Sequence, residues 1–288
     1  MTASSARTLL IEQLTHRYGA GEAKAIARIV LEDAFEKKWT TDDEQLTVAE
    51  VQHLENITAR LVGGEPVQYV LGQADFFGLK FKVNPDVLIP RQETEELVAW
   101  VLEYLKNSAS AHPALLDIGL GSGCIGVTLK KKFQRLELYG LEKSPAALKV
   151  ATDNALHILG EQGMFKFFEG DIFNYLDWDK FPQLDVVASN PPYIPLVEKS
   201  IMPEHVTAHE PPQALFVDDE DPLIFYRAIA DFALQKLHPG GALFFECNEF
   251  NVREIEVLLR EKGFDKVELR KDLANAERMA HGIKPEDR

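Results

Sequence analysis

The sequence predicts an α/β protein in which a small all-α region precedes a largely parallel sheet. From about residue 114, short apolar runs alternate with segments whose apolar residues have helical spacing. This alternation is typical of parallel sheets built from right-handed strand–helix–strand crossovers. Before about residue 75, apolar residues recur only at helical spacing. We therefore expect a helical domain over residues 1–75, a linker over 76–90 and an α/β domain over 91–288.

The first 75 residues predict a bundle of three amphipathic helices. Their apolar faces contain Leu10–Leu14, Ile26–Ala34 and Val48–Leu61. Thr47 and Glu50 have the spacing of a capping box that opens the third helix. Gly63-Gly64 then ends it, because glycine is favoured just beyond a helix. The linker predicts a β-hairpin, since Phe76–Val83 is rich in β-forming residues and has Gly78 at a turn.

The α/β domain contains five short apolar runs that predict strands, joined mainly by helices. The expected strands are 114–118, 136–141, 165–168, 186–188 and 242–245, and the expected helices are 122–132, 145–159, 222–237 and 250–262. Residues 266–269 and 277–280 predict a closing antiparallel pair. Residues 190–221 have no regular pattern, and an irregular stretch of that length is usually functional.

Composition narrows the class of protein. Of 288 residues, 45% are hydrophobic and the formal net charge is −15. This acidity argues against non-specific nucleic-acid binding, which requires a positive field over the phosphates. No apolar run approaches the length of a membrane span. Cys124 and Cys247 are the only cysteines, which favours a reducing, cytoplasmic location over a disulfide scaffold.

A glycine-rich loop between a strand and a helix predicts a cofactor pocket. Gly119-Leu120-Gly121-Ser122-Gly123 follows the apolar run that ends in Asp117-Ile118. Glycines let the backbone approach a ligand closely, and the following helix offers unpaired N–H groups. Glu142, at the end of the next predicted strand, is suited to accept hydrogen bonds from both hydroxyls of a ribose.

The identity of that cofactor is open from the loop alone. Gly121, Gly123 and Gly126 match a dinucleotide-binding pattern, and Glu142 stands where its acidic residue belongs. The acidic Asp117 just before the loop instead favours a cationic, amino-acid-bearing ligand such as S-adenosylmethionine. A structural turn without a ligand is the third alternative. Asp171 and Ile172 follow the third strand, where they would contact an adenine or simply cap the next segment.

Asn190-Pro191-Pro192-Tyr193 predicts the site of chemistry, because it follows a buried strand at the edge where such sheets bind ligands. The Asn190 side-chain oxygen and the Pro191 carbonyl are suited to accept both N–H bonds of a planar amino group, and Tyr193 to stack on it. Two such acceptors would orient a weakly nucleophilic nitrogen toward a methyl group. A plain proline-rich turn is the alternative.

A metal site is not predicted. His205 and His209 have the i, i+4 spacing of a helical metal pair. Pro203, Pro211 and Pro212 make a helix there unexpected, and no third ligand is evident. A loop over the substrate cleft is the favoured interpretation.

Taken in order, these motifs resemble a class I methyltransferase of the amino-group type. Two further segments, Gly64–Tyr69 and Leu88–Glu95, are similar to the linker of the peptide chain release factor glutamine methyltransferases, the HemK/PrmC type. The helical N-terminal region and His209-Glu210-Pro211 also fit that family. The resemblance covers nearly the whole chain. Glu142 and Leu120 stand where family members often have Asp and Thr.

The resemblance implies a class I, S-adenosylmethionine-dependent methyltransferase fold, with a Rossmann-like, seven-stranded mixed sheet behind a helical substrate-docking domain. The implied reaction methylates the side-chain amide nitrogen of the glutamine in the Gly-Gly-Gln motif of release factors, in support of translation termination, and leaves S-adenosylhomocysteine. The implied cofactor residues are Gly119, Leu120, Gly121, Ser122, Gly123, Glu142, Asp171, Ile172 and Asn190. The implied substrate residues are Asn190, Pro191, Pro192 and Tyr193, with Asn190, Pro191 and Tyr193 catalytic. Phe77 and Arg91 are implied to line the cleft.

Two other functions remain as alternatives. The same tetrapeptide serves amino-methyltransferases that act on a flipped-out base in DNA or RNA, although the net charge of −15 counts against such a substrate. A non-catalytic binding module with a relict pocket is the second. We expect a release factor as partner, no direct nucleic-acid binding, no membrane association and a monomer.

Overall fold

The computed structural model describes residues 1–35, 41, 43–108, 110–161 and 163–286. The helices are α1 Ala3–Asp33, α2 Val48–Val62, α3 Val67–Leu71, α4 Gln92–Lys106, α5 Cys124–Lys132, α6 Pro145–Leu159, α7 Tyr175–Trp178, α8 Glu204–His209, α9 Pro212–Leu215, α10 Ile224–Lys236 and α11 Val252–Glu261, with a 3₁₀ helix at Leu196–Ile201. The strands are β1 Gln73–Phe76, β2 Leu79–Lys82, β3 Ala114–Ile118, β4 Glu137–Glu142, β5 Phe165–Glu169, β6 Leu184–Ser189, β7 Ile194–Pro195, β8 Phe216–Val217, β9 Leu237–Glu246, β10 Asp265–Lys271 and β11 Glu277–Ile283.

The chain forms two compact units. A helical unit comprises Met1–Gln73 together with Pro203–His209, and an α/β unit comprises Ala74–Met202 and Glu210–Arg288. Of the described helices, none is long and apolar enough to cross a membrane.

The helical unit is built from apolar stripes, as the sequence predicts. The first two predicted helices are continuous in α1, which kinks at Gly19, where φ is 76°. Such a positive φ is inexpensive only for glycine. In α2 the capping box is present: Thr47 Oγ1 accepts from the Glu50 N–H, and Glu50 Oε2 accepts from the Thr47 N–H. The apolar faces of the two helices meet in one core.

The predicted hairpin consists of β1 and β2. It begins at Gln73, three residues before the start of the predicted linker. Phe77 and Gly78 form its turn, with φ values of 51° and 74°. Two consecutive residues with positive φ are the requirement of a tight hairpin turn whose twist matches its strands.

The α/β unit contains the predicted seven-stranded mixed sheet, in the order β10-β11-β9-β6-β3-β4-β5. The five strands from β9 to β5 are parallel. The predicted tail pair is also confirmed, since β10 and β11 are antiparallel to each other and β11 is antiparallel to β9. β3 is buried along its whole length, because helices cover both faces of a parallel sheet.

The strand order determines where a ligand can bind. The chain passes from β3 outward to β4 and β5, and then returns to place β6 on the other side of β3. At such a reversal, the loops that follow neighbouring strands diverge and leave a crevice at the carboxyl edge. The segments that carry Gly119, Glu142, Asp171 and Asn190 all leave the sheet at this edge.

The prediction for residues 190–221 is partly wrong. This stretch contains the 3₁₀ helix, α8, α9 and a two-stranded parallel sheet of β7 and β8. α8 spans Glu204–His209, although the flanking prolines argued against a helix. Pro203 precedes its first residue, where the missing proline N–H has no intrahelical partner to lose, so proline is tolerated there.

Candidate active site

A cavity of about 440 Å³ lies at the carboxyl edge of the sheet, within the α/β unit. Its walls come from the β3–α5 loop, the ends of β4, β5 and β6, and residues that precede and begin α4. The predicted site residues that line it are Arg91, Gly119, Leu120, Gly121, Ser122, Glu142, Asp171, Ile172, Asn190, Pro191 and Pro192. Residues as far apart in sequence as Arg91 and Pro192, which are 101 positions apart, thus line one cavity.

The glycine loop exposes bare backbone to this cavity. Gly119 and Gly121 have φ values of 75° and 52°, and a Cβ atom at either position would meet no other atom within 4 Å. Glycine is therefore required for the backbone conformation, while the space above the loop stays open for a ligand. The Gly119 N–H donates to the Leu141 carbonyl at 2.9 Å, which holds the loop against the end of β4.

Glu142 is oriented by two backbone hydrogen bonds. Its Oε2 accepts from the Gly121 N–H, and its Oε1 accepts from the Ser144 N–H, each at 2.9 Å. A carboxylate has about four acceptor positions, so each oxygen retains capacity for one more donor. This fixed carboxylate lines the same cavity as the glycine loop.

Asp117 lies behind the loop and does not line the cavity. Its Oδ2 accepts from the Gly126 N–H at 2.9 Å, which ties the first turn of α5 to the end of β3. Its Oδ1 is buried and has no hydrogen-bond partner among the described residues. Burial, with a smaller contribution from nearby Glu142, raises the pKa of this carboxyl to about 7, while the hydrogen bond from the Gly126 N–H acts in the opposite direction. The carboxylate thus supports the loop and does not itself face the cavity.

Asp171 caps the segment after β5 and also lines the cavity. Its Oδ1 accepts from the Phe173 N–H at 3.0 Å, which caps the following turn. Its Oδ2 pairs with Lys143 Nζ at 2.9 Å. Asp171 and the buried Ile172 both lie in the cavity wall, so the cap also presents polar and apolar surface to a ligand.

Asn190 leaves β6 beside the glycine loop. Ser189 Oγ donates to the Ile118 carbonyl at 2.7 Å and joins the ends of β6 and β3. Asn190 Nδ2 donates to Thr94 Oγ1 at 3.4 Å. Among the described residues, none donates a hydrogen bond to Asn190 Oδ1, so this acceptor is available to a ligand in the cavity that Asn190 lines.

Three predicted site residues do not line the cavity. Gly123 is the residue before α5. Tyr193 packs against the core, and burial raises the pKa of its hydroxyl. Phe77 lies at the hairpin turn, where its N–H donates to Glu95 Oε1 at 2.7 Å and Lys132 Nζ stands 5.5 Å from its ring centroid. Their assignments to cofactor, substrate and cleft stay predictions.

Arg91 is held at the cavity wall by a buried carboxylate. Glu210 is only 3% exposed, and its Oε1 accepts from Arg91 at 2.6 Å. Its Oε2 accepts from the Ile89 N–H at 3.1 Å. Because a buried carboxylate is tolerated only when it is paired and hydrogen-bonded, this cluster fixes the segment around Glu210 to the segment before α4.

Sequence reasoning missed two residues next to Asn190. Thr94 lines the cavity, and Glu246 is the last residue of β9. The Thr94 hydroxyl donates to Glu246 Oε2 at 2.6 Å. Glu246 is 2% exposed, and burial raises its pKa to about 7. The sequence does contain a signal for Glu246. It follows the apolar run Ala242–Phe245, just as Glu142 and Asn190 come after the apolar runs of their own strands.

The histidines considered as metal ligands both lie on α8. Across the described part of the chain, no group of three or more His, Cys, Asp or Glu side chains is arranged to hold a metal ion.

Comparison with known proteins gives two family models. Residues 6–72 match the PrmC N-terminal domain, and residues 94–207 match the methyltransferase small domain. A release factor glutamine methyltransferase from Flavobacterium psychrophilum is 37% identical over 279 residues, which cover 95% of this chain and 96% of that protein. The protein of the same name from Bacteroides thetaiotaomicron is 38% identical over 81% of each chain.

Solved structures share the fold. A methyltransferase from Pyrococcus furiosus matches with a TM-score of 0.51 and 16% identity, over 80% of this chain and 99% of that one. The human methyltransferase 10 domain containing protein matches with a TM-score of 0.52 and 17% identity, over 72% and 90%. At these identities the likeness concerns the fold alone.

Proposed function

The chain belongs to the release factor glutamine methyltransferase family, and from that membership and the geometry of its cavity we propose a specific reaction. The protein transfers a methyl group from S-adenosylmethionine to the side-chain amide nitrogen of the glutamine in the Gly-Gly-Gln motif of peptide chain release factors. S-adenosylhomocysteine is the second product, and the modification supports translation termination.

One observation carries this proposal: a single cavity is lined both by the glycine loop with Glu142 and by Asn190 with Pro191. A cofactor held on the loop and an amide held at Asn190 therefore share one enclosed space. Bringing two reactants together in this way can contribute up to about 7–11 kcal/mol to lowering the barrier.

The residues present fit the cofactor. Glu142 would accept hydrogen bonds from the ribose hydroxyls, the backbone of Gly119 and Gly121 would lie against the ligand, and Asp171 with Ile172 would contact the adenine. When bound, S-adenosylmethionine supplies an activated methyl group on a sulfonium.

Asn190 and Pro191 would orient the substrate amide. The lone pair of an amide nitrogen is delocalised, so the nitrogen is a weak nucleophile. The Asn190 side-chain oxygen and the Pro191 carbonyl would each accept one of its N–H bonds. These acceptors direct the nitrogen toward the methyl group and stabilise the positive charge that develops on it. A nitrogen–carbon bond forms, the sulfur–carbon bond breaks, and one proton is lost to solvent afterwards, so no basic side chain is needed.

The partner is a protein. With 46 acidic and 31 basic residues, the chain lacks the positive field that binding to free nucleic acid requires. We assign the helical domain, residues 1–75, to docking of the release factor, and the remaining chain to the linker over 76–90 and the methyltransferase domain over 91–288. A partner that works in translation places the enzyme in the cytoplasm. The expected state is a monomer.

Mass spectrometry of a purified release factor incubated with the protein and S-adenosylmethionine tests the reaction. We expect one added CH₂, localised to the glutamine of the Gly-Gly-Gln motif. Parallel incubations with ribosomal RNA and DNA should show no methyl incorporation. Methylation of a nucleic acid, or of another residue, would show that the substrate is assigned wrongly.

The variant Asn190→Ala tests the mechanism. Removing the acceptor should lower kcat by about 100-fold or more, because a misplaced reactant alone can cost about that much. The affinity for S-adenosylmethionine, measured by calorimetry, should change by less than about threefold, since the loop and Glu142 are intact. Full turnover in this variant would eliminate Asn190 from the mechanism.

A further inference from the structure

A buried chain of hydrogen bonds runs from Asn190 into the core of the α/β unit. Asn190 Nδ2 donates to Thr94 Oγ1 at 3.4 Å, and Thr94 Oγ1 donates to Glu246 Oε2 at 2.6 Å. Thr94 and Glu246 are both 2% exposed. They stand on α4 and β9, 152 residues apart in sequence, so only the folded unit brings them together.

We infer that Thr94 and Glu246 are positioning residues that set which end of the Asn190 amide faces the cavity. This inference rests on the proposed function, in which Asn190 Oδ1 accepts an N–H of the substrate glutamine. The two ends of an asparagine amide are nearly equal in shape and opposite in hydrogen bonding. An asparagine that acts as an acceptor therefore needs neighbours that fix its orientation.

The donor and acceptor in each of these hydrogen bonds are determined by Glu246, the residue furthest from the cavity. An ionised carboxylate only accepts hydrogen bonds, and a threonine hydroxyl has one proton to donate. Thr94 gives that proton to Glu246, so only its lone pairs face Asn190. Those lone pairs accept from the NH₂ group, which turns Oδ1 toward the cavity. The flipped amide would place two acceptors against each other and would present NH₂ to the substrate NH₂.

The surroundings of Glu246 are consistent with this role. Its main-chain carbonyl accepts from Tyr226 Oη at 3.1 Å, which fixes the end of β9. Burial and the nearby Glu93 raise the pKa of its side chain, to about 7, while Thr94, Arg278 and the Asn190 amide act in the opposite direction. The other titratable neighbours are Cys124, Tyr193, Tyr226 and Cys247. Stabilisation of the charged form by Asn190 agrees with an NH₂ group that faces inward.

Steady-state kinetics of two Thr94 variants test the inference. Thr94→Val keeps the shape but removes the hydroxyl, and kcat on the release factor should fall by about 100-fold, as for other small losses of alignment. The KM for S-adenosylmethionine should change by less than about threefold. Thr94→Ser restores the hydroxyl and should recover kcat to within about threefold of the wild type.

Thr128→Val is the matched control. Thr128 is a fully buried threonine of the same unit whose hydroxyl has no partner among the described residues. Its loss should leave kcat unchanged. Unaltered kcat in Thr94→Val would overturn the inference. So would equal losses in Thr94→Val and Thr94→Ser, because these would reflect packing and not the hydrogen bond.

The pH dependence of kcat distinguishes a positioning role of Glu246 from a purely structural one. A protonated Glu246 can donate to Thr94, which frees the hydroxyl proton for Asn190 and removes the constraint on its amide. The wild-type kcat should therefore decline as pH falls through about 7. Glu246→Gln keeps an acceptor for the Thr94 hydroxyl but cannot be protonated, so its kcat should lack this step. A step of the same size in Glu246→Gln would assign it to another group and exclude the proposed role of Glu246.

NMR separates this inference from the proposed function, because it needs no substrate. The side-chain NH₂ signals of Asn190 are identified by their loss in Asn190→Ala. They should shift in Thr94→Val and stay near their wild-type positions in Thr94→Ser. If they shift and the wild type methylates no release factor, the function is wrong and the hydrogen-bond chain stands. Unshifted signals would overturn the chain itself.

Discussion

At the scale of single residues, polar groups at the ends of buried strands serve two different purposes. Glu142 and Asn190 line the cavity with side-chain acceptors. Asp117 and Glu246 do not line it: Asp117 accepts from the Gly126 N–H, and Glu246 accepts from the Thr94 hydroxyl next to Asn190. The sequence indicates both kinds by the same pattern, a polar residue after an apolar run. Only the direction of each side chain distinguishes a ligand-binding group from a supporting one, and tertiary packing decides that direction.

The supporting carboxyls predict an unusual dependence of stability on pH. In the folded protein the pKa of Asp117 is raised to about 7, from the ordinary aspartate value of 3.8. Between those values the folded state binds more protons than the unfolded state, so stability decreases as pH rises. Glu246, with its pKa also about 7, acts in the same direction.

Urea denaturation of wild type and Asp117→Asn between pH 5 and pH 8 checks this. The wild type should lose stability relative to the variant as pH rises, by up to about 1.4 kcal/mol per pH unit. The variant retains an acceptor for the Gly126 N–H but has no charge to bury. Parallel curves for the two proteins would show that Asp117 ionises normally in the fold.

At the scale of elements, the glycine loop depends on how closely α5 packs against the sheet. A Cβ atom at Gly126 would stand 2.9 Å from Leu138 Cδ1 and 3.0 Å from Asp117 Oδ2. The third glycine of the motif thus serves helix–strand packing, which applies equally to dinucleotide-binding and methyltransferase loops. This is one reason why the loop alone did not identify its cofactor.

Gly126→Ala should therefore destabilise the α/β unit by about 1–3 kcal/mol, as overpacking usually does. It should also weaken S-adenosylmethionine binding, because α5 carries the glycine loop at its start. Gly21→Ala is the control: that glycine lies in α1, and an added Cβ atom would contact nothing within 4 Å. It should stabilise the protein by about 0.5–1 kcal/mol. Similar effects in both variants would mean that close packing at Gly126 is unimportant.

Helices and strands were predicted correctly from the sequence where the pattern of apolar residues was long and regular. The five parallel strands and the antiparallel tail pair are as predicted, because alternation and buried apolar runs are local properties. Residues 190–221 were predicted less well, since α8 has only six residues. Elements that short have little periodicity and depend on their tertiary neighbours.

At the scale of the whole molecule, the two units have different proposed roles: the α/β unit contains the cavity, and the helical unit is assigned to docking. Residues 203–209 are inserted in the α/β sequence but belong to the helical unit. Cavity residues lie on both sides of this segment in the sequence, up to Pro192 and from Gln213 onward. The segment itself is part of the helical unit, to which we assign docking.

A variant without residues 1–73, and with a Gly/Ser linker in place of 203–209, tests the docking role. Its affinity for S-adenosylmethionine should match that of the full chain, because every residue that lines the cavity is retained. The KM for the intact release factor should rise tenfold or more, which corresponds to a loss of about 1.4 kcal/mol of binding. A short Gly-Gly-Gln peptide should be methylated equally well by both proteins. Unchanged KM for the intact release factor would reject the docking role.

Local patterns in the sequence predicted the fold class, the edge of the sheet at which the cavity lies and the chemical type of most residues there. These follow from the spacing of the apolar residues, the alternation of strands and helices along the chain, and motifs that are contiguous in the chain. The folded structure was needed to find that Asp117, Tyr193 and Phe77 do not line the cavity and that Thr94 and Glu246 lie next to Asn190. The physical reason is that side-chain direction and burial depend on contacts between residues up to 152 positions apart, which no local pattern records.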